Sequence, residues 1–197
     1  MKKTLFSVAA LLLGGCLSMQ AQVSLVNPVP HQVERQAGAA VVKAPKAWAI
    51  TADAGRHQGV VRLLQQAEGA KAGGAKAAFK LTIGVKGDKA VKKYAKKIPA
   101  KAEGYYLEVT PKGAVLAAAD EVGLFWAAQT WMAMLSEGKM EYCTITDYPD
   151  VPYRGVVEGF YGTPWSHQAR LSQIAFYARH KMNVYIYGPK DDPYHRD

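Results

Sequence analysis

The sequence predicts an α/β chain in two parts: a small α+β domain over residues 23–150, then a strand–helix–strand unit over residues 151–197. Three observations predict it. Pro111-Lys-Gly113 separates two strand-like runs, Gly104-Tyr-Tyr-Leu-Glu-Val-Thr110 and Ala114-Val-Leu-Ala-Ala-Ala119, which is a hairpin pattern. Asp120 opens an apolar run of helical period that reaches about Leu135. Near the end, two short apolar runs that finish in glycine and polar residues bracket a helical stretch from Ser166 to Lys181. Strands joined through a helix lie parallel in one sheet, with a right-handed crossover.

Residues 1–21 stand apart. Lys2 and Lys3 precede an apolar run from Leu5 to Leu13, too short to span a bilayer, which is the pattern of a secretory signal. Leu13-Gly-Gly-Cys16 fits a lipobox, in which Cys16 would be lipidated; Ser18-Met-Gln-Ala21 fits ordinary cleavage before Gln22. Both stay open, with cleavage near Ala21 preferred. Either way the mature protein is expected outside the cytoplasm, whether periplasmic, outer-membrane-anchored or extracellular. A lipid on Cys16 would be its one tie to a membrane.

Asn27-Pro-Val-Pro30 makes residues 23–36 an extended entry segment. Ala47-Trp-Ala-Ile-Thr-Ala52 reads as a short strand, and a helix is expected near residues 56–68, with Val60, Leu63, Leu64 and Ala67 on one side. Residues 69–78 read as a linker of small residues and lysine. Phe79-Lys-Leu-Thr-Ile-Gly-Val85 alternates like a strand, and Asp88 is placed to cap a short lysine-rich helix through Ala95. In the helix from Asp120, Leu124, Ala128, Trp131 and Leu135 form one stripe; Trp126 and Trp131 read as core, and Gly138 ends the helix. Residues 141–146 read as a last strand and Asp147-Tyr-Pro-Asp-Val-Pro152 as a proline-rich linker. The domain's sheet is expected to be largely antiparallel, and no chemistry is assigned to it.

Composition narrows the function classes. Apolar residues make up 49% of the 197, enough for an ordinary core. The net charge of +9 is local. Lys71, Lys76, Lys80, Lys86, Lys89, Lys92, Lys93, Lys96, Lys97 and Lys101 face one acid, Asp88. Alanine and glycine interleave them, with little arginine or aromatic character, so a solvated face is expected rather than a nucleic-acid site. With Cys16 in the signal, Cys143 has no partner and reads as a small buried strand residue. The five histidines are scattered; His167 and His195 lie near the strand–helix–strand unit, but none pairs at metal-ligand spacing. No metal and no cofactor is expected.

The chemistry concentrates in the last unit. Arg154-Gly-Val-Val-Glu-Gly-Phe-Tyr-Gly-Thr-Pro-Trp165 and Asn183-Val-Tyr-Ile-Tyr-Gly-Pro-Lys-Asp-Asp192 carry the two strands. Pro164 and Ser166 are helix-start signals; Leu171, Ile174, Ala175 and Ala178 recur at helical spacing; Arg179, His180 and Lys181 sit where the helix dipole favours cations. Sites in such units gather at the carboxyl ends of the strands. Glycine there lets a ligand approach the backbone, Lys190 offers three donors, and Tyr161 and Trp165 offer faces on which sugar rings stack.

From Tyr153 to Tyr194 these runs closely resemble the opening of the catalytic barrel of glycoside hydrolase family 84, the O-GlcNAcase family, some members of which have been called hyaluronidases. The residues from Glu103 to Trp131 resemble the non-catalytic domain that precedes the barrel in families 20 and 84. The resemblance implies that residues 151–197 begin a (β/α)8 TIM barrel. It implies contacts to a bound N-acetylglucosamine from Gly159 and Lys190, with Tyr161 at the rim. It also implies substrate-assisted, retaining hydrolysis of N-acetylglucosaminides, in which the 2-acetamido oxygen attacks the anomeric carbon and two neighbouring aspartates of a later strand handle the protons. Asp191-Asp192 belongs to the motif of the second strand and is not that pair. No catalytic residue is therefore assigned in this chain: the aspartate pair is expected beyond Asp197, the barrel to be truncated, and the chain alone to be inactive.

Two rivals remain in view, a surface glycan-binding protein without catalysis and a family 20 β-hexosaminidase. The Glu158-Gly-Phe-Tyr-Gly162 run weighs against the second. In each reading the partner is an N-acetylglucosamine-containing glycan or glycoprotein, with no nucleic acid.

Overall fold

A computed structural model describes residues 26–36, 41–66, 71–72, 77–135, 138–159 and 164–188. The signal-like segment with Cys16, the end of the first helix at Ala67, Lys71 as a side chain and Lys76 lie outside the described residues. In chain order the elements are β1 (Gln32–Arg35), β2 (Val42–Lys43), β3 (Ala47–Thr51), α1 (Gln58–Gln65), β4 (Lys71–Ala72), β5 (Lys80–Val85), β6 (Tyr105–Thr110), β7 (Gly113–Ala118), α2 (Glu121–Leu135), β8 (Lys139–Met140), β9 (Cys143–Asp147), β10 (Gly155–Val157), α3 (His167–Arg179) and β11 (Val184–Ile186).

The hairpin forms where its turn chemistry puts it. Thr110 pairs with Gly113 across Pro111 and Lys112, and β6 runs antiparallel to β7 from there. β9 and β1 extend the sheet antiparallel on one side. On the other side β5, β3 and β4 add in parallel, giving the order β1-β9-β6-β7-β5-β3-β4. The sheet is therefore mixed, half parallel, and not largely antiparallel. The cause is the crossover through α1, which returns the chain to β5 in the direction of β3.

Pleating sorts the side chains. Leu81, Ile83, Tyr105, Leu107, Val109 and Ile145 point to one face, where Val60 and Leu64 of α1 and Leu124, Ala128 and Trp131 of α2 close the main core. Trp48, Trp131 and Leu124 are fully buried. β7 sits centrally and is buried from Ala114 to Ala118, which is why it reads as a continuous apolar run. The other face is covered by residues 86–101. Val91, Tyr94 and Ile98 from that stretch pack on Tyr106, Val115 and Ala117.

Asp120 caps α2, its carboxylate accepting from the Gly123 N–H at 2.8 Å and from the Glu103 N–H at 2.8 Å. Asp88 is not a helix cap. It is buried and accepts from the Val85 N–H at 2.8 Å, while His57 Nε2 lies 2.6 Å away and Arg56 pairs with its other oxygen at 2.6 Å. The expected lysine-rich helix shrinks to one 3₁₀ turn, Lys92–Tyr94, because Asp88 is consumed in fastening the loop to α1.

Candidate functional site

Gly155, Val156 and Val157 of β10 pair in parallel with Val184, Tyr185 and Ile186 of β11, and the Glu158 N–H donates to the Ile186 carbonyl at 2.8 Å. Both strands thus end side by side, at Glu158-Gly159 and at Tyr187-Gly188. Ser166 starts α3, its hydroxyl accepting from the Ala169 N–H at 3.2 Å. The parallel strand–helix–strand unit read from the sequence is present.

At the strand ends one carboxylate dominates. Glu158 is 1% exposed, and the Arg170 guanidinium donates to both of its oxygens at 2.8 Å. The Trp165 N–H donates at 3.0 Å, and the Tyr185 hydroxyl also donates to it. Arg170 first, then the Tyr185 and Trp165 donors, hold the Glu158 carboxyl well below its ordinary value, at about 2, against the opposing pull of burial. Glu158 therefore stays ionised and fully engaged, and it is unsuited to proton transfer. Its role is geometric: it ties the end of β10 to the start of α3 and to β11. Arg170 also lies over the Tyr187 ring, 4.6 Å from its centroid.

Gly159 is exposed at this end, and a methyl built on it meets nothing within 4 Å. Trp165, whose N–H meets the Glu158 carboxylate, is 40% exposed. Tyr161, Lys190, Asp191, Asp192 and His195 lie outside the described residues. Glu158 and Arg170 were not singled out from the sequence, although both stand in quoted or helical stretches; the available signal was only a glutamate at the end of an apolar run and an arginine in the first turn of the next helix.

The opposite ends of β10 and β11 join the N-terminal part. Lys181 follows α3 with φ 57° and is buried, not a solvated cation on a helix end. Its ammonium donates to Asp147 at 2.7 Å and to the Tyr105 hydroxyl at 2.9 Å. Burial lowers the Lys181 ammonium from its ordinary value, while Asp147 pulls it back up. Burial and then Asp147 push the Tyr105 phenol well above its usual range, so it remains a donor to Asp147 at 3.0 Å. Arg154 pairs with Glu103 and donates to the Lys181 carbonyl at 2.9 Å. The expected apolar stripe of α3 is largely exposed, with Leu171 and Ile174 each at 48%, and Tyr177 is the side chain it buries. Two strands of three residues offer too little surface to cover that stripe.

A mixed sheet backed by two helices leads into a parallel unit whose glycine-bearing strand ends lie side by side. Residues 24–148 match the family described as glycosyl hydrolase family 20, domain 2, and because that is more than half of the chain, the chain belongs to it. Residues 154–197 match beta-N-acetylglucosaminidase. Protein O-GlcNAcase of Rattus norvegicus is 48% identical over 42 residues, 21% of this chain and 5% of that protein. The solved structure of CpGH84B superposes with a TM-score of 0.67 at 28% identity, covering 85% of this chain and 30% of that one. The GH20 exo beta-N-acetylglucosaminidase from Vibrio harveyi, solved in complex with N-acetylglucosamine, shares the fold, with a TM-score of 0.60 at 16% identity over 84% of this chain and 25% of its own. The last part of the chain is thus similar to β-N-acetylglucosaminidases, the O-GlcNAcases among them, and the chain spans a minor part of the length of these relatives.

Proposed function

We propose that this chain contributes the first pocket wall of an exported, retaining exo-β-N-acetylglucosaminidase of the O-GlcNAcase type, acting on N-acetylglucosamine-containing glycans or glycoproteins. The observation that carries the reading is the parallel pairing of β10 with β11, which sets two glycine-bearing strand ends side by side. The pairing is joined by the match of residues 154–197 to beta-N-acetylglucosaminidase. In this reading Gly159 meets the sugar through its backbone, Lys190 donates to ring hydroxyls, and Tyr161 closes the rim.

The chemistry follows the substrate-assisted route. The 2-acetamido oxygen forms a bond to the anomeric carbon as the glycosidic C–O bond breaks, and the leaving oxygen takes a proton from one aspartate. Water then opens the oxazoline, giving its proton back to that aspartate, with net retention. A second aspartate holds the acetamido N–H. Glu158 is locked by Arg170 and supplies neither function. In this reading the proton-handling pair comes from a later strand, and residues 151–197 serve as the start of a (β/α)8 barrel. Export rests on Lys2, Lys3 and the apolar run after them.

Two measurements test this. In the longer protein, Lys190→Ala should lower turnover of an aryl N-acetylglucosaminide by more than about tenfold, a rise of more than ~1.4 kcal/mol in the barrier; unchanged kinetics would remove Lys190 from the pocket. The 197-residue chain by itself should show no turnover. Hydrolysis by the purified chain would refute the division of labour, and sugar binding without turnover by the longer protein would favour a non-catalytic glycan binder.

A further inference from the structure

Residues 86–101 cover one face of the sheet in a fixed alternation. Val91, Tyr94 and Ile98 point inward, buried against Tyr106, Val115 and Ala117. Lys86, Lys89, Lys92, Lys93, Lys96, Lys97 and Lys101 all point outward and are exposed. The single acid of the stretch, Asp88, is buried and already held by Arg56 and His57. Among the described residues, only Lys97 of these seven has a carboxylate in ion-pair range, Glu108 at 3.4 Å. The inward anchors make this a preorganised ridge of positive charge, not a set of lysines on a loose loop.

The ridge lies away from the candidate sugar site. Tyr106 packs beneath it, whereas Tyr105, on the other face of the same strand, meets Lys181 beside the strand–helix–strand unit. The candidate site sits at the far ends of β10 and β11 from that junction. We propose that the ridge is a second, non-catalytic binding surface for a polyanionic glycan, a carboxylated or sulfated polysaccharide.

The composition of the surface selects among polyanions. Tyr94 and Tyr106 are buried and Tyr148 is taken up by the stacked His31 ring and the Lys101 ammonium, which disfavours stacking of nucleobases, and the stretch contains no arginine for bidentate phosphate or base contacts. No large apolar side chain of the ridge is exposed, so nothing is presented to enter a lipid headgroup layer. Beside the ridge a shallow cavity of about 270 Å³ is lined by Gln32, Glu34, Lys97, Tyr106, Thr144 and Thr146. Amide and hydroxyl groups next to ammonium groups suit a hydroxyl-rich polymer that carries charge. Glu34 requires the ligand's anionic groups to lie on the lysine side.

The test uses the full 197-residue chain and heparin as a sulfated probe, with polygalacturonate as a carboxylated one. Binding should be tight at low salt and weaken steeply as salt rises. Replacing Lys86, Lys92, Lys93 and Lys96 together by glutamine should weaken heparin binding by about tenfold or more, with the thermal midpoint unchanged. The pair Lys92→Glu and Lys96→Glu should do the same. A control with Lys43, Lys46, Lys112 and Lys139 changed to glutamine removes equal charge from exposed lysines elsewhere and should bind like the parent. Equal loss in the control would reduce the effect to net charge and overturn the site. Binding of phosphatidylglycerol vesicles or of a single-stranded oligothymidylate as tight as that of heparin, at the same salt, would overturn the glycan assignment. Failure of this test leaves the Lys190→Ala experiment untouched, because the two surfaces share no residue.

Discussion

A methyl group added at Gly155 would sit 1.8 Å from the carbonyl oxygen of Val184 and 2.6 Å from its carbon, both backbone atoms. Backbone cannot step aside as a flexible side chain can, so β10 and β11 would have to part. Gly155→Ala should cost about 2 kcal/mol, in the range of overpacking, and should speed hydrogen exchange of the Glu158 amide that bonds to Ile186. At Gly159 the same methyl meets open space. Gly159→Ala should therefore keep its urea midpoint. In the longer protein it should reduce N-acetylglucosaminide turnover by about tenfold, because the methyl would occupy the volume assigned to the sugar. A Gly159→Ala protein with full activity would take that residue out of the pocket; a Gly155→Ala protein with unchanged amide protection would contradict the strand contact. The sequence singled out Gly159 through its neighbours in the Glu-Gly-Phe-Tyr-Gly run, but it gave no reason to separate it from Gly155, since close approach of a backbone 29 residues away has no local signature.

At the scale of elements, α3 is held at its start by the Glu158–Arg170 pair. A free glutamate titrates near 4.3, and Glu158 in the fold is held at about 2. The folded value is the lower one, so this contribution to stability is complete above about pH 4.3 and is lost as pH falls toward 2. Glu158→Gln removes the titrating group. The difference in urea midpoint between parent and variant should be largest near pH 6 and should shrink on acidification through that window; a difference constant from pH 6 to pH 2.5 would show that the pair does not anchor the helix. Elements defined by local chemistry were legible: the Pro111-Lys112 turn fixes the hairpin, Asp120 starts α2, and Ser166 starts α3. What failed depends on distant partners. Asp88 looked like a cap and is instead the acceptor for a histidine 31 residues away. The parallel half of the sheet was missed because β5 finds β7 across an intervening strand, and no turn marks such a pairing. The Glu158–Arg170 pair joins residues 12 apart whose meeting depends on how the helix lies on the strands.

For the whole molecule, the question is what fixes the strand–helix–strand unit to the mixed sheet. The junction is polar at its centre: Lys181 reaches into the end of β9 and β6, where Asp147, Tyr105 and Thr130 form one hydrogen-bonded chain, and Arg154 closes the flank on Glu103. Burying an ion pair offsets Coulomb attraction against lost hydration, so the net gain of the pair is small, whereas stranding either partner is costly. Lys181→Met leaves Asp147 buried with the Tyr105 hydroxyl and the His31 N–H as donors but no cation, and should destabilise by about 3 kcal/mol. Adding Asp147→Leu removes the stranded charge and should restore at least about half of that loss, since a buried pair can be replaced by apolar groups at little cost. The two changes should thus be strongly non-additive in urea unfolding. Additive losses would show that Lys181 and Asp147 act independently and that the junction rests on packing alone. A direct readout separates docking from folding: in the single variant the Glu158 amide should keep its protection if β10 and β11 stay paired, while the Tyr105 ring environment changes. A junction built this way sets the angle at which the strand ends face outward through directional hydrogen bonds among Lys181, Asp147, Tyr105, Arg154 and Glu103.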